Sequence, residues 1–139
     1  MTQKKFSTAW KASTQPRKQR KYNHAAPLHL KQKYLHVHVT PELRKKYGIR
    51  NARVRKGDKV KILRGQFAQK EGKVERVEIK RTRLFITGAE IIKKDGAKVP
   101  YPIHPSNILI MELDLGDKKR KAKLESNSPT SPRRSEVTP

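Results

Sequence analysis

Hydrophobic residues alternate with charged residues in short segments between residues 58 and 111. In the segment 58–64, Val60 and Ile62 face one side while Lys59 and Lys61 face the other, which is the two-residue period of a half-buried strand. Similar segments predict further strands at 73–79, 84–86, 91–92 and 108–111, with turn-forming residues between them. Five short strands in about 55 residues fit a small barrel better than a sandwich, because closure removes exposed sheet edges.

Three local features refine this mainly β prediction. The apolar positions change parity between Val74 and Val77, which indicates a bulge or a sharp bend in the second strand. The tripeptide 94–96, Lys-Asp-Gly, is typical of a hairpin turn after the fourth strand. Prolines at 100, 102 and 105 keep the next segment out of a central strand, because proline cannot donate a ladder hydrogen bond.

Two short helices are predicted before the strands. In residues 28–38, Leu30, Tyr34 and Val37 share one helical face, although two leucines fall on nearly the opposite side. The second helix covers 41–47, between Thr40, a favoured N-cap residue, and Gly48, a favoured C-cap residue. The predicted helices therefore lie in an extension that precedes the strands.

Charge and hydrophobicity divide the 139 residues into three segments. Residues 1–53 hold 14 basic residues and one acidic residue, residues 54–112 hold 14 and 7, and residues 113–139 hold 7 and 4. Of 59 residues in the middle segment 23 are hydrophobic, against 5 of the last 27, so the middle segment is predicted to be the folded domain. The first 27 residues and a Ser/Pro-rich tail, Ser126–Pro139, are expected to be disordered on their own.

The net charge of +23 makes nucleic acid the leading partner before any motif is considered, since so much self-repulsion weakens a compact state unless a polyanion neutralises it. The longest apolar run is four residues, 108–111, which is too short for a membrane span of about 20 residues. A secretory signal is not expected at the start of the chain, and Pro16 argues against a mitochondrial presequence. We expect a cytoplasmic protein with no membrane partner.

Catalytic and metal-binding chemistry find little support. The chain has no cysteine, and its twelve acidic residues are scattered among basic neighbours rather than paired. His36 and His38 could chelate a metal from a strand, but no cluster supplies the remaining ligands that a site needs. We therefore predict a protein that is not an enzyme, with no cofactor, no metal and no small-molecule substrate.

The most informative stretch is the run 54–65 followed by 72–74. Gly57 precedes a strand and Gly65 ends it, and the loop from Gly65 to Gly72 carries Gln66 and Phe67 at its tip. Two glycines let such a loop turn tightly and let a phosphate or ribose approach the backbone. An ordinary hairpin with solvated charges explains the spacing equally well.

This stretch resembles the KOW motif of ribosomal proteins and transcription elongation factors. Its flanks are similar to one family, the universal KOW-domain protein of the large ribosomal subunit, number twenty-four in the bacterial naming, in its archaeal/eukaryotic branch. The similarity covers roughly residues 15–115, and Val99–Pro105 resembles the archaeal form. The flanking blocks that carry it are Gln15–Tyr22, Ala26–Leu30, Pro41–Gly48 and Pro102–Asn107.

The resemblance implies a structural constituent of the large subunit with an SH3-like barrel. It also implies binding to large-subunit rRNA near its 5′ domain, contact with neighbouring ribosomal proteins, a role in early assembly and a position near the polypeptide exit. This chain departs from the family at one point, where Ala68 and Gln69 stand in place of the frequent Lys-Gly. Without the lysine one plausible phosphate contact is lost, and without the glycine the family's loop conformation is not assured. Lys70 could take over that contact.

Basic side chains are expected to supply most of the RNA affinity by neutralising phosphates, with aromatic rings stacking on unpaired bases. For any one lysine solvation is an equal alternative, and Tyr22 could pack against the protein instead. Phe67 has little core to join at a loop tip, which favours an RNA contact. The residues expected to bind RNA are Arg17, Lys18, Arg20, Lys21, Tyr22, His24, Lys31, Lys33, Arg44, Lys45, Arg55, Lys56, Arg64, Gly65, Gln66, Phe67, Lys70, Lys73, His104 and Asn107.

Two other classes of protein share some of these features. A KOW-type elongation factor that binds RNA polymerase should carry a preceding α/β domain, which residues 1–53 cannot build with so few apolar residues. A nonspecific nucleic-acid compactor would be basic throughout, and its Gly-bounded loop would be incidental.

Overall fold

Among the residues that the structure describes, six strands form one sheet and two more form a separate hairpin. The computed structural model of the protein describes residues 6–127, so most of the predicted disordered tail lies outside the described residues. The order in the sheet is β2-β1-β8-β3-β4-β5, and β6 pairs with β7. The strands are β1 His36–Val39, β2 Asn51–Arg53, β3 Lys59–Ile62, β4 Glu71–Glu78, β5 Arg83–Ile86, β6 Glu90–Ile92, β7 Lys98–Pro100 and β8 Ile108–Glu112.

Among residues 6–127, four α-helices and three short 3-10 helices accompany the strands. They lie before β1, between β1 and β2, between β7 and β8, and after β8. The α-helices are α1 Pro16–Ala25, α2 Leu28–Lys31, α3 Pro41–Tyr47 and α4 Lys118–Glu125. The 3-10 helices are Thr8–Ala12, Gln32–Leu35 and Pro105–Asn107.

The buried side chains of the six-stranded sheet form one hydrophobic core, to which β2 contributes Ala52. Val60 and Ile62 of β3 are buried while the lysines beside them are partly exposed, as the alternating pattern predicts. Each fully buried side chain of this size contributes about 1.5–3 kcal/mol to folding. The other strands contribute Val37 and Val39 of β1, Val74 of β4, Leu84 and Ile86 of β5, and Ile108 and Ile110 of β8.

The mainly β prediction is confirmed, together with several of its details. Every strand expected from the pattern is present, and the register of β4 against β5 shifts between Val74 and Arg76, where the bulge is predicted. The hairpin at residues 94–96 joins β6 to β7, with Gly96 at φ +81°. The sheet itself is open at β2 and β5 among the described residues, and it contains strands that the pattern did not predict.

Strand β1 replaces the end of the helix predicted at 28–38. Helical structure ends at Leu35, and β1 then pairs parallel with β8 and antiparallel with β2. Val37 and Val39 point into the core while His36 and His38 point outward. The free energy gained by burying two valines against neighbouring strands exceeds that of the short helical segment that is lost. β1 and β2 therefore extend the sheet to residues before 54.

Helix α3 matches its prediction in position but not in capping. It begins at Pro41 and ends before Gly48, which has φ +62° and donates its N–H to the Arg44 carbonyl. Thr40 precedes the helix, yet its hydroxyl is buried and meets no hydrogen-bond partner among the described residues. Proline at the first helical position removes one N–H that would need a cap, so the helix starts without that bond.

Helix α1 gives regular structure to an arm that was expected to be disordered on its own. Pro16 opens the helix, and the Gln19 side chain donates to the carbonyls of Lys11 (3.0 Å) and Ser13 (2.7 Å). The buried Tyr22 ring packs on Phe6, with 5.2 Å between the ring centroids. The charge and composition of this segment do not predict these contacts, because only a few of its side chains make them.

Helix α4 is held against the sheet by a buried ion pair. Arg120 donates to both carboxylate oxygens of Asp58, at 2.6 and 2.7 Å. Arg120 also donates to the Asp114 and Arg53 carbonyls, while Asp58 accepts the backbone N–H groups of Arg55 and Asp114. Residues 118–125 lie outside the segment predicted to be the folded domain, but this network docks them on the start of β3.

Candidate nucleic-acid interface

The loop between β3 and β4 makes a tight turn with an open backbone at its start. Gly65 has φ +100°, and a Cβ placed on it would meet no atom within 4 Å. The N–H of Ala68 donates to the Gly65 carbonyl at 3.0 Å, and that of Gln69 donates to the Ile62 carbonyl at 2.7 Å. Gln69 itself has φ +68°, a left-handed conformation that glycine adopts more easily.

The second glycine of the motif serves the sheet rather than a ligand. A Cβ on Gly72 would lie 2.4 Å from the Thr87 carbonyl oxygen and 2.8 Å from a methyl carbon of Ile86. The backbones of β4 and of the chain after β5 therefore approach each other at this position. A phosphate can approach the backbone closely at Gly65 but not through the space beside Gly72.

Phe67 is buried, which contradicts the expectation that its ring is exposed at the loop tip. Its ring belongs to the hydrophobic core and is 7% exposed. It packs beside Tyr101, with 5.3 Å between centroids, and the Lys70 ammonium lies 5.2 Å from its centre. The loop folds back because burying a phenyl ring stabilises it, and Tyr101 becomes the more exposed of the two rings.

A small cleft, which we call the loop cleft, lies between this loop and the segment before β8. Its volume is about 220 Å³. It brings together six of the residues expected to bind RNA, which the sequence separates by up to about forty positions. They are Arg64, Gly65, Gln66, Phe67, His104 and Asn107, and the cleft is also lined by Ile62, Arg83, Tyr101, Pro102 and Ile103.

The wall opposite the loop is fixed by hydrogen bonds. The Leu63 N–H donates to the Asn107 carbonyl at 2.7 Å, and the Ser106 N–H donates to Nδ1 of His104 at 3.3 Å. Partial burial, and then the charge of Arg83, lowers the pKa of His104. The neutral imidazole thus accepts a bond at Nδ1, which leaves Nε2–H as a donor.

Five basic or potentially basic side chains of the arm lie on one face of α1. At 3.6 residues per turn, Arg17, Lys18, Arg20, Lys21 and His24 fall within roughly half of the helix circumference. All five side chains are exposed. We call this face the basic face of α1; its middle lies roughly a third of a turn from the buried Tyr22, and Lys18 borders the Tyr22 side.

Two other residues expected to bind RNA make contacts within the chain that hold the arm in place. Tyr22 packs on Phe6. Burial of Tyr34 raises the pKa of its hydroxyl, and interaction with the nearby Tyr22 hydroxyl raises that pKa further. The Lys31 ammonium donates to the carbonyls of His24 (3.2 Å) and Lys80 (3.5 Å). These contacts connect α1 and α2 with the turn between β4 and β5.

Lys33 and Arg55 lie in a second depression, which we call the α4 groove. It measures about 830 Å³ and lies between the Gln32–Leu35 turn, β2 and α4. Arg55 forms an ion pair with Asp117, and this hydrogen bond lowers the pKa of the Asp117 carboxyl. Its positive charge is therefore partly neutralised within the chain.

The remaining residues expected to bind RNA are exposed but dispersed. Arg44 and Lys45 lie on α3, Lys56 and Lys70 lie in the segments before and after β3, and Lys73 lies in β4. None of the five lines the loop cleft or the α4 groove. Solvated charge, the alternative considered above, fits these positions as well as an RNA contact.

Several residues of these surfaces were not predicted from the sequence. Arg83 and Tyr101 complete the loop cleft, and Lys119 and Lys123 line the α4 groove. Arg83 sits in a strand beside other cations, and the lysines sit in a charged run that resembles a solvated tail. Only the tertiary contacts of β5 and α4 distinguish them from their neighbours.

Residues 6–127 offer neither a metal cluster nor a membrane-spanning helix. Within that range, no three His, Asp or Glu side chains gather in a way that could hold a metal ion. None of the helices described there has the length and apolar character that crossing a membrane requires.

A family model and a curated relative both match this chain, and the two matches agree. The model of a family described as the ribosomal proteins L26 of eukaryotes and L24 of archaea matches residues 13–127. A protein of Methanothrix thermoacetophila named large ribosomal subunit protein uL24 is 50% identical over 108 residues, which cover 78% of this chain and 93% of that protein.

Proposed function

This chain belongs to the family of the eukaryotic L26 and archaeal L24 ribosomal proteins, and we propose that it binds large-subunit rRNA as a structural protein of the ribosome. The observation that carries the rRNA proposal is the loop cleft, because it gathers cations, an open backbone and a partly exposed aromatic ring. Its cellular location is then that of the ribosome. We assign it no reaction, cofactor or metal.

The loop cleft contains the groups that an unpaired nucleotide needs. Arg64 and Arg83 present guanidinium groups that fit phosphate oxygens, and the backbone at Gly65 is open to close approach. Tyr101 is 36% exposed and can stack on a base, while Nε2–H of His104 can donate to a base or ribose oxygen. These groups bind RNA by charge, stacking and hydrogen bonding together.

The basic face of α1 adds a sequence-independent contribution. Residues 1–53 carry 14 basic residues and one acidic residue, so phosphates attracted to this arm meet little opposing charge. Each neutralised phosphate releases condensed counterions, which favours binding at low salt. The arm extends the interface from the loop cleft to a second RNA segment.

The finer architecture proposed here is the SH3-like barrel of the family. The shared core of β1, β3, β4, β5 and β8 supports a strongly curled sheet, since one core contacts strands from both halves. The bridge between Leu84 and Ile103 supports it too, because it draws β5 toward the chain that leads into β8. An early role in assembly, a place near the polypeptide exit and contacts with neighbouring ribosomal proteins follow from the family resemblance.

Crosslinking in living cells tests the proposal. The full-length protein is crosslinked with ultraviolet light and purified under denaturing conditions, and the attached RNA is sequenced. We expect one cluster of large-subunit rRNA positions. Scattered nascent transcripts together with co-purified RNA polymerase would overturn the ribosomal assignment in favour of an elongation factor.

A pair of variants tests the loop cleft within the same experiment. Replacing Arg64 and Arg83 with Gln should lower crosslinking several-fold at the nucleotides nearest the cleft. The matched control replaces Lys93 and Lys94, which lie in the β6–β7 turn and line none of the cleft. Equal crosslinking by both variants would contradict the role of the cleft while leaving the ribosomal assignment intact.

A further inference from the structure

The α4 groove is open, large and positively charged. Its volume of about 830 Å³ is nearly four times that of the loop cleft. Among the described residues none of the side chains that line it is acidic. The groove is lined by His29, Gln32, Lys33, His36, Ile49, Asn51, Ala52, Arg53, Arg55, Lys119, Arg120, Lys123, Leu124 and Asn127.

The cations of the groove divide into those that support the fold and those that face solvent. Arg120 is 8% exposed and satisfied by Asp58, and Arg53 donates to the Gln32 side chain at 2.6 Å. Lys33, Lys119 and Lys123 are exposed. A ligand in the groove would therefore meet lysine ammonium groups on two opposite walls.

The two lysines of α4 have the spacing of a helix face. Lys119 and Lys123 are four residues apart, so their Cα atoms are separated by about 6 Å along the helix axis. Flexible ammonium groups at that spacing can neutralise different phosphates of one strand. Lys33 approaches from the other wall, on the Gln32–Leu35 turn.

We infer that the α4 groove binds the sugar–phosphate backbone of rRNA, at a surface separate from the loop cleft. The inference rests on the proposed function, which supplies the polyanion, and on the absence of acidic side chains among the described residues lining the groove. The groove is built only when α4 is docked, since α4 supplies one of its walls. The Asp58–Arg120 ion pair thus acts as a positioning contact for Lys119 and Lys123.

Salt dependence of RNA affinity tests the inference with matched variants on one helix. The test variant is K119Q/K123Q, and the control is K118Q/K121Q, which changes the same charge at positions outside the groove. Glutamine has a helix propensity close to that of lysine, so α4 should persist in both. Affinity for the full-length large-subunit rRNA transcript is measured from low to moderate salt.

Each neutralised phosphate contributes roughly 0.7–0.9 to the slope of log affinity against log salt. We expect the slope of K119Q/K123Q to fall by roughly 1.4–1.8 and that of the control to change by less than half as much. Equal changes in the two variants, or none, would overturn the inference. If the unaltered chain fails to select large-subunit rRNA over unrelated RNA, the proposed function itself fails.

Cleavage of RNA from a tethered iron chelate provides a second, direct test. The chain contains no cysteine, so one introduced cysteine carries the chelate at a single position. Asn127→Cys places it at the groove, and Ala122→Cys places it on α4 away from the groove. We expect a defined set of strong rRNA cuts from position 127 and weaker, different cuts from position 122. Absence of cuts from 127 would contradict the inference, and would leave an acidic protein segment as the occupant to seek.

Discussion

Gln69 holds a backbone conformation that costs an ordinary residue free energy. Its φ of +68° lies in the left-handed region, where a side chain crowds the following carbonyl. The loop keeps this conformation because the Gln69 N–H donates to the Ile62 carbonyl and Phe67 is buried beneath the loop. The family resemblance places glycine at this position, whereas this chain has glutamine there.

Replacing Gln69 with Gly should therefore stabilise the protein. The left-handed penalty of about 1–2 kcal/mol is removed, and the greater freedom of glycine in the unfolded chain offsets about 0.5–1 kcal/mol of that gain. We expect an increase of up to about 1.5 kcal/mol in the free energy of unfolding, measured by urea denaturation. Gln66→Gly is the control, because that exposed loop residue has no positive φ and should lose stability. A loss of similar size at both positions would show that Gln69 is not strained.

The same residues show the limit of reading single side chains from sequence. Gly65 could be predicted as a turn residue, because its position at the end of an alternating strand requires one. The burial of Phe67 could not, since it depends on Tyr101 approaching from a segment more than thirty residues away. Local pattern identifies the loop but not which of its aromatic neighbours remains exposed.

The element with the largest consequence for the interface is α4. Its docking buries Asp58 completely and supplies one wall of the α4 groove. Removing one partner of a buried ion pair leaves the other charge uncompensated in a poorly solvated site. The stability of the sheet and the geometry of the groove are therefore linked through Arg120.

Arg120→Met should lower the free energy of unfolding by about 3–5 kcal/mol, because the Asp58 carboxylate would remain buried without its charged partner. Chemical denaturation followed by circular dichroism measures the change. Lys121→Met on the exposed side of α4 is the control and should change stability by no more than about 0.5 kcal/mol. Adding Asp58→Asn to Arg120→Met should recover part of the loss. If the double variant is no more stable than Arg120→Met, the buried charge is not the cause.

Elements with a strong local pattern were predictable, and those formed by distant contacts were not. β3 and β8 carry enough apolar residues to be recognised from the sequence. β1 contains only two valines, and it becomes a strand because β8 and β2 pair with its two edges. Helix α4 has almost no apolar face, and its docking depends on Asp58, 62 positions before Arg120.

At the scale of the whole molecule, the net charge of +23 is distributed over several surfaces, and different structural elements hold each of them in place. The loop cleft belongs to the strands, the α4 groove to a docked helix, and the basic face of α1 to an arm held by few contacts. Positive side chains that line one surface act together on a polyanion, and none of the described residues that line the loop cleft or the α4 groove is acidic. A uniformly basic compactor would lose RNA affinity equally wherever charge was removed. In this molecule, the loss of RNA affinity should depend on which surface loses its charge.

Neutralising the arm tests that difference. Replacing Arg17, Lys18 and Arg20 with Gln removes three charges from the basic face of α1 and leaves Lys21, whose ammonium lies 4.8 Å from the Trp10 ring centre. If all three contact phosphates, the salt slope of rRNA affinity should fall by roughly 2–3. The control is K93Q/K94Q/K98Q in the β6–β7 hairpin, which removes the same charge from three exposed positions. An equal fall of the salt slope in both variants would indicate a general electrostatic attraction. Only an arm docked on RNA makes the loss of three particular cations weaken binding more than the loss of three others.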